Sequence, residues 1–303
     1  ICWSLVGSEM CIRDRLMRVI AFYSFFNVSN PRLLKERLNL HFLLKQIKGS
    51  IIVSEEGLNG TIVVSSKLEK KIIDYLMSLG VTKENIKLSD FNGQRIFNEF
   101  KIKLKKEIVT SDFGLKISDI KKSKFIEPRD WDRFANDKNV EILDTRNDYE
   151  FKIGHYKNAI NPKIETFKDF KNYIKNNKEK FQNKKVGIYC TGGIRCEKAG
   201  PLMEKYGIET YQLKGGILKY FETTSADSWK GECFVFDYRV SLNKQLSQGT
   251  SKLCYGCNMP LTPKERKSPK YEEGYSCSIC FDNMTEKKRR SLKDKREHWK
   301  KVL

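Results

Sequence analysis

The feature that most constrains this chain is a cysteine set between a short apolar run and a glycine-rich turn. Residues 186–189 predict a buried strand that ends at Cys190. The next five residues, through Arg195, include two glycines, so the backbone can curl with its amides pointing inward. We expect a helix to begin near Arg195. Because inward amides, a helix N-terminus and a guanidinium all favour a thiolate, the segment predicts a reactive cysteine.

A buried structural cysteine before an ordinary turn is the simpler interpretation, and three further stretches disfavour it. Residues 140–151, 154–161 and 213–217 follow the rhodanese pattern in order and in spacing. The resemblance covers about residues 125–222. It implies an α/β domain with a mostly parallel sheet, in which Cys190 forms the persulfide.

The loop that follows Cys190 separates two branches of that superfamily. Four residues lie between Cys190 and Arg195, whereas the related phosphatases use five and hold a phosphate oxyanion. The tighter ring fits a single sulfur atom, so the sequence disfavours a phosphatase. The predicted active-site loop comprises, after the cysteine, Thr191, Gly192, Gly193, Ile194, Arg195 and Cys196.

Roles for the surrounding residues follow from the same resemblance. We expect Arg195 to direct its guanidinium at the Cys190 sulfur or its ligand. Asp144, with Arg146 two residues later, is expected to support the neighbouring loops by hydrogen bonds. Cys196 has two open interpretations, a thiol that resolves a persulfide as a disulfide or a small helix residue. His155 is interpreted as structural.

The region before this domain predicts an α+β fold. Apolar alternation predicts strands at 18–26, 51–53, 61–64 and 100–104, and helical periodicity predicts helices at 31–45 and 68–79. The order β-α-β-β-α-β is the ferredoxin-like arrangement. Residues 55–60 predict a glycine-punctuated hairpin, which is either structural or close to the active site. Residues 105–124 are interpreted as a linker with one extra strand.

Length and composition bound the domain organisation. A chain of 303 residues can hold two domains and a small module, which we place at residues 17–112, 125–225 and 226–303. Residues 1–16 lack the periodicity of the later segments, so we interpret them as a non-native leader before Met17 and give Cys2 and Cys11 no function. No apolar run approaches the length of a membrane span, so none is predicted.

The charge balance predicts a polyanionic partner. The chain has 58 Lys and Arg against 38 Asp and Glu, a formal net charge of +20, and nucleic acid is the first candidate. A genome-wide bias towards lysine is the alternative. Residues 286–303 form a strongly basic tail, which either is a solvated helix or contacts phosphates.

Two cysteine pairs near the C-terminus predict a zinc site. Nineteen residues separate the two pairs, and each has two residues between its cysteines, a spacing typical of four-thiolate zinc. The predicted ligands of this zinc-ribbon-like module are Cys254, Cys257, Cys277 and Cys280. Reduced free thiols are the alternative. Nine cysteines used in catalytic or metal-like spacing favour a reducing cytoplasm over disulfides.

Taken together, these motifs extend the resemblance to the whole chain from residue 17. Residues 57–61, 190–198, 213–219 and 231–237 and the paired cysteines resemble the oxygen-dependent tRNA uridine hydroxylase family. Membership implies hydroxylation of C5 of the wobble uridine, position 34, in the anticodon loop, with molecular oxygen as co-substrate and Cys190 as catalytic cysteine. Gly200 and Pro201 depart from the family pattern, and a proline there is expected to kink the helix.

The residues alone do not predict hydroxylation. A facial iron site needs two histidines and a carboxylate, and the three histidines, His41, His155 and His298, lie in different segments. No dinucleotide fingerprint for flavin or nicotinamide is present. As a hypothesis, a Cys190 thiolate or persulfide adds to C6 of uracil, after which the C5 enolate reacts with O2. A persulfide sulfurtransferase is the competing hypothesis, and a non-catalytic tRNA-binding module is the third.

Overall fold

A computed structural model describes residues 17–43, 45, 47–91, 96–120 and 123–302, with only the backbone for residues 90, 91 and 298–302. The predicted leader, including Cys2 and Cys11, lies outside the described residues. Within the described part of the chain, no helix is both long and apolar enough to span a bilayer.

The N-terminal region is one five-stranded sheet with two helices on one face. The strand order is β4-β1-β3-β2-β5, and all neighbours are antiparallel except β2 and β5. Its elements, in chain order, are β1 (Met17–Phe25), α1 (Pro31–Phe42), β2 (Lys48–Ser54), β3 (Gly57–Ser65), α2 (Glu69–Ser78), β4 (Ile86–Phe91) and β5 (Phe100–Leu104). A 3-10 turn, Lys83–Asn85, precedes β4.

The predicted assignment of the fourth strand was wrong. β4, at Ile86–Phe91, completes the β-α-β-β-α-β unit beside β1, and Phe100–Leu104 is an additional strand parallel to β2 at the opposite edge. β4 gives a weak apolar signal because Leu88 is exposed and Lys87 points to the polar face. The hairpin turn is shorter than predicted, since Gly57 already belongs to β3.

Alternation along the strands divides the sheet into two faces. Ile20, Phe22, Ile51, Leu58 and Ile62 are buried in one cluster with residues of α1 and α2. Side chains of the opposite parity point away from these helices and face the second domain. Among them are Tyr23, Ser50, Asn59, Thr61 and Lys87.

The second domain has the expected α/β architecture. Four parallel strands lie in the order β6-β10-β9-β7. Its elements are α3 (Ile117–Ile120), β6 (Lys124–Ile126), α4 (Pro128–Ala135), β7 (Val140–Asp144), α5 (Asp148–Ile153), β8 (Gly154–Tyr156), α6 (Phe170–Asn177), β9 (Lys185–Tyr189), α7 (Cys196–Lys205), β10 (Glu209–Leu213) and α8 (Gly216–Thr223), with 3-10 turns at Phe167–Asp169 and Lys178–Phe181. The described part of the predicted linker, residues 105–124, contains the helix α3. The only strand in that part is β6, which begins at Lys124, the last residue of the linker.

The C-terminal region consists of short antiparallel pairs and one long helix. The elements are β11 (Trp229–Gly231), β12 (Cys233–Phe234), β13 (Ser241–Leu242), β14 (Lys252–Leu253), β15 (Pro260–Leu261), a 3-10 turn at Glu265–Lys267 and α9 (Glu286–Val302). β11 pairs with β8 of the second domain, and Trp229 packs in that domain's core. A domain boundary at residue 226 stays a prediction. The first strand after that residue, β11, packs on the second domain.

A buried lysine joins the two larger domains. The Lys198 ammonium, on α7, donates to Glu56 at 2.9 Å and to Glu107 at 3.0 Å, and its side chain is only 3% exposed. Removing one partner of such a buried ion pair costs about 3–5 kcal/mol. This contact fixes the predicted hairpin of residues 55–60 against the helix that follows Cys190.

Candidate active site

Cys190 lies where the sequence placed it, between the end of β9 and the start of α7. The Gly193 amide donates to its sulfur at 3.1 Å. The first turn of α8 supports the loop from outside, since the amide of Ile217 donates to the Cys190 carbonyl at 3.0 Å. Gly216 permits this approach, because a Cβ there would lie 2.6 Å from the same carbonyl oxygen.

The loop favours a thiolate at Cys190. Burial alone would raise the pKa of this thiol, but a hydrogen bond from Cys196, the charge of Arg195 and the amides of Arg195 and Cys196 together lower the pKa well below its ordinary value. Burial and the neighbouring Cys190 raise the pKa of Cys196. Both shifts favour a negative charge on Cys190 and a proton on Cys196.

The Arg195 guanidinium is directed elsewhere than expected. Its two terminal nitrogens bind the carboxylate of Glu150 at 2.6 and 2.7 Å, not the Cys190 sulfur. Glu150 is completely buried. Because an unpaired carboxylate would be too costly to bury there, Glu150 binds the Arg195 guanidinium through both oxygens. Arg195 acts on Cys190 through its charge and its backbone amide.

Asp144 and Arg146 form a support that is buried beneath the loop. The Asp144 carboxylate accepts hydrogen bonds from the amide, Nε and Nη2 of Arg146 at 2.9, 2.9 and 2.7 Å. Arg146 in turn donates to the Gly154 carbonyl at 2.7 Å and lies over the ring of Trp229. Asp144 thus orients Arg146, and it is Arg146 that contacts the neighbouring strand.

A cleft of about 450 Å³ lies between the Cys190 loop and the polar face of the N-terminal sheet. Its volume is in the range of small-ligand sites. Cys190, only 1% exposed, opens into this cleft. The predicted loop residues Thr191, Gly192, Ile194 and Arg195 also line it, joined by residues that the sequence analysis did not select, among them Tyr23, Asn59, Lys87, Phe236 and Arg239.

Lys87 brings a second cation to the loop from the other domain. Its ammonium donates to the Gly192 carbonyl at 2.6 Å and lies 5.3 Å from the centre of the Tyr23 ring. Burial lowers the pKa of Lys87 to about 8, while the charges of Cys190 and Glu197 act in the opposite direction. The alternation of β4 would have placed this lysine on the polar face had that strand been predicted.

Glu197, in the first turn of α7, is a buried carboxyl close to the thiolate. The Tyr23 hydroxyl donates to one of its oxygens at 3.4 Å and the Gln212 amide to the other at 3.3 Å. Burial raises the pKa of Glu197 to about 7, and the charge of Cys190 adds to the effect. Tyr23 therefore links a group that titrates near neutrality to the wall of the cleft.

Residues 234–239 close one side of the cleft. The Thr191 hydroxyl donates to the Phe234 carbonyl at 3.3 Å. Arg239 binds the carboxylate of Asp237 at 2.9 and 2.6 Å and donates to the Ser89 hydroxyl at 2.9 Å. This aromatic and charged block therefore contacts both the cysteine loop and the N-terminal sheet.

The two described histidine side chains lie away from the cleft. The ring of His155 stacks on Phe151 at 4.1 Å, and His41 stacks on Tyr75 at 3.4 Å. The side chain of His298 is outside the described residues. The positions of His41 and His155 agree with the structural interpretation of His155 and bring no histidine pair together.

The C-terminal cysteines form a separate cluster that could hold a metal ion. The sulfur atoms of Cys254, Cys257, Cys277 and Cys280 all lie within 4.8 Å of one another. Three of the sulfur–sulfur distances are 3.7–3.8 Å. Tetrahedral zinc with Zn–S bonds of about 2.3 Å requires roughly 3.8 Å between sulfurs, so the four thiols fit that ion.

Two protein-family models match this chain, one in each of its two larger domains. The family model described as UPF0176 acylphosphatase like domain matches residues 17–108, and the Rhodanese-like domain model matches residues 127–223. A solved structure, the rhodanese-like domain protein from Staphylococcus aureus, covers 32% of this chain and 90% of its own, with 28% identity and a TM-score of 0.27. The two family models confirm the predicted fold class, with its α+β and rhodanese domains.

Relatives match over nearly the whole chain. The tRNA uridine(34) hydroxylase of Acinetobacter baumannii (strain AYE) is 41% identical over 274 residues, which are 89% of this chain and 87% of the relative. The tRNA uridine(34) hydroxylase of Acinetobacter baylyi is 40% identical over 278 residues, 91% and 88% of the two chains. With this identity over this length, the chain belongs to the tRNA uridine(34) hydroxylase family.

Proposed function

We propose that this chain hydroxylates C5 of uridine 34 in tRNA, with Cys190 as the nucleophile and molecular oxygen as co-substrate. The observation that carries the proposal is a thiolate-favouring cysteine that opens into a cleft between two domains. The relatives that match nearly the full length are named tRNA uridine(34) hydroxylase, which supports hydroxylation of this uridine.

The first step is addition of the Cys190 thiolate to C6 of uracil. An S–C6 bond forms, and the electron pair of the C5–C6 double bond moves to C5 as an enolate. Lys87 and the loop amides place positive charge near the sulfur. This charge favours the thiolate form of Cys190 before it attacks the uracil. The enzyme thereby makes C5, ordinarily unreactive towards oxygen, electron-rich.

The second step transfers oxygen to C5. The C5 carbanion bonds to O2 and takes up a proton, which gives a hydroperoxide. A two-electron thiol reductant cleaves the O–O bond, so that one oxygen stays on C5 as hydroxyl and the other leaves as water. Removal of the C5 proton then expels the Cys190 thiolate and restores the double bond.

Glu197, acting through Tyr23, is the proposed acceptor of the C5 proton. Tyr23 lines the cleft and donates to Glu197. A carboxyl whose pKa is raised to about 7 by burial can take up a proton and release it again near neutral pH. The N-terminal domain thus supplies part of the machinery for the reaction at the rhodanese loop.

The substrate is proposed to be the anticodon loop. Its bases are single-stranded, so a uracil can enter the cleft without the disruption of a duplex. The formal net charge of +20 favours binding of the tRNA backbone. The seven cysteines of the described chain are free thiols, which fits action in the reducing cytoplasm.

A zinc ion is proposed for the four-cysteine cluster, where it would stabilise the fold of the C-terminal module. Cys254, Cys257, Cys277 and Cys280 would be its ligands. Four thiolates leave no open coordination position, so the site is structural by its chemistry.

Nucleoside mass spectrometry tests the proposal. Purified protein is incubated with unmodified tRNA, a thiol reductant and ¹⁸O2. We expect 5-hydroxyuridine that carries one ¹⁸O, and none with Cys190→Ser. Full hydroxylation by the Cys190→Ser variant would overturn the role of this cysteine, and incorporation of oxygen from water would overturn that of O2.

A persulfide sulfurtransferase is the second candidate. The observation in its favour is the tight loop, in which the Gly193 amide bonds a single sulfur atom at 3.1 Å. With thiosulfate added to the same assay, this activity would yield thiolated uridine. With cyanide added as well, it would yield thiocyanate. A product with oxygen and no added sulfur would exclude this alternative as the main activity.

A further inference from the structure

Phe236 is an exposed aromatic side chain on the wall of the active-site cleft. It is 64% exposed, although its neighbours Phe234 and Val235 are 7% and 5% exposed. Burying a phenylalanine ring stabilises a fold by about 1.5–3 kcal/mol. The ring lacks this stabilisation, and it lines the same cleft as Cys190.

The ring is held on a well-anchored segment. It makes an edge-to-face contact with the ring of Phe234, with centroids 5.0 Å apart. The backbone on its N-terminal side accepts the hydrogen bond of Thr191, and on its C-terminal side Asp237 is fixed by Arg239. A ring whose backbone is fixed on both sides loses little entropy when a flat ligand stacks on it.

The lining of the cleft around this ring carries net positive charge. The guanidinium carbon of Arg195 lies 5.7 Å from its centroid, but this cation is paired with Glu150. Lys87 and Lys105 add positive charge to the lining of the same cleft. Among the described residues that line the cleft, the one carboxylate is Asp237, which is neutralised by Arg239. This lining suits a flat ligand that is attached to an anionic backbone.

We propose that Phe236 is a stacking subsite for a nucleobase that neighbours the reacting uridine in single-stranded RNA. The inference rests on the proposed function and adds a second point of attachment beside Cys190. Single-stranded nucleic acids bind where an aromatic ring accepts a base and nearby cations follow the phosphates. The subsite fixes the register of the RNA, so that one uridine and not its neighbour reaches the sulfur.

A tryptophan at this position reports stacking directly. The probe is a seven-nucleotide RNA with one central uridine, labelled so that its binding is followed by anisotropy. With Phe236→Trp we expect binding to be accompanied by quenching of the new indole fluorescence, and an abasic residue on one side of the uridine to abolish the quenching. Phe125→Trp is the matched control, because Phe125 is 48% exposed on β6 and does not line the cleft.

Removal of the ring gives the second readout. Phe236→Ala is expected to raise the Kd for the probe roughly 5- to 100-fold, in line with base–aromatic stacking, and to raise KM for tRNA more than it lowers kcat. Phe236→Tyr is expected to restore most of the affinity. Phe125→Ala should leave both constants unchanged.

The outcomes separate the subsite from the reaction. If the probe binds without quenching, or if Phe236→Ala binds it as tightly as the unaltered protein does, the subsite is overturned while hydroxylation stands. Quenching that depends on the flanking base supports the subsite even if no 5-hydroxyuridine forms, and that result would count against the proposed function alone. Failure of the probe to bind the unaltered protein would also overturn the subsite.

Discussion

The two groups of cysteines in this chain illustrate opposite uses of a thiol. The Cys190 sulfur accepts a hydrogen bond from the Gly193 amide, has cations nearby and opens into a cleft. The four C-terminal cysteines face one another with sulfur–sulfur distances of 3.7–3.8 Å for three of their pairs. The first arrangement keeps one sulfur available to a substrate, and the second directs four sulfurs at a common centre.

The difference shows that the surroundings of a thiol, and not its burial, decide its chemistry. Cys190 and Cys277 are both buried. In the loop, negative charge on sulfur is balanced by groups of the protein, so the sulfur stays free to react. In the cluster, four adjacent thiolates would repel each other, and a cation is needed to hold them together.

The largest expected effect is loss of the metal on substitution of one cluster ligand. Cys277→Ser should reduce bound zinc from one per chain to none and unfold the module around it, because zinc contributes about 10–16 kcal/mol to such folds. Metal analysis and limited proteolysis measure this. Alkylation of Cys190 should proceed at an unchanged rate, and a large change in that rate would mean that the two groups are coupled.

A smaller loss is expected when the partner of Arg195 is neutralised. Glu150→Gln leaves a buried guanidinium with its charge uncompensated, which should lower stability by about 3–5 kcal/mol. Thermal unfolding measures the change. Glu222→Gln, which breaks the exposed pair with Lys219, is the control and should cost about 1 kcal/mol or less. Equal effects of the two variants would contradict the buried role of Glu150.

Removal of the Cys196 thiol tests the hydrogen bond within the loop. Cys196→Ala should raise the pKa of Cys190 by about 1–2 units, since a hydrogen bond to a charged group is worth about 1.5–3 kcal/mol. The rate of alkylation by iodoacetamide as a function of pH gives this value. Cys233→Ala, at another buried free thiol, should leave it unchanged. An unshifted Cys190 in Cys196→Ala would assign the low pKa to Arg195 and the amides alone.

The smallest expected effect is a change of pH dependence. Since the pKa of Glu197 is raised to about 7 in the folded protein, its carboxylate form, the proposed base, appears as pH rises through about 7, and hydroxylation should rise over the same range. Glu197→Gln should lose that rise and slow the reaction about 10- to 100-fold. If the rate of hydroxylation by Glu197→Gln still rose as the pH passed through about 7, this carboxyl would not be the base.

The same shift affects stability. A carboxyl whose pKa is higher in the folded state stabilises the fold fully below its ordinary pKa of 4.5, and that contribution is lost as pH rises towards about 7. The unfolding temperature of Glu197→Gln minus that of the unaltered protein should therefore be larger at pH 8 than at pH 4. The opposite trend would indicate that Tyr23 and Gln212 stabilise the carboxylate more than burial penalises it.

Local sequence patterns determined much of this protein. The strand, the cysteine, the glycine turn and the helix of residues 186–205 follow from neighbouring residues alone, as does the spacing of the two cysteine pairs. β4 was missed because it is an edge strand with an exposed leucine and a lysine on its polar face. Its apolar alternation is too weak for a local pattern to identify.

Only the tertiary structure decided which side chains meet at the thiolate. Tyr23 is 174 residues from Glu197 in sequence, and Lys87 is 105 residues from Gly192. Arg195 binds Glu150 because a fully buried carboxylate competes for it, and burial is set by the whole fold. The sequence by itself determines the loop around Cys190 and the pattern of the two cysteine pairs, because both depend on local spacing. The cleft and the side chains that line it depend on how two domains pack, and no local spacing encodes that.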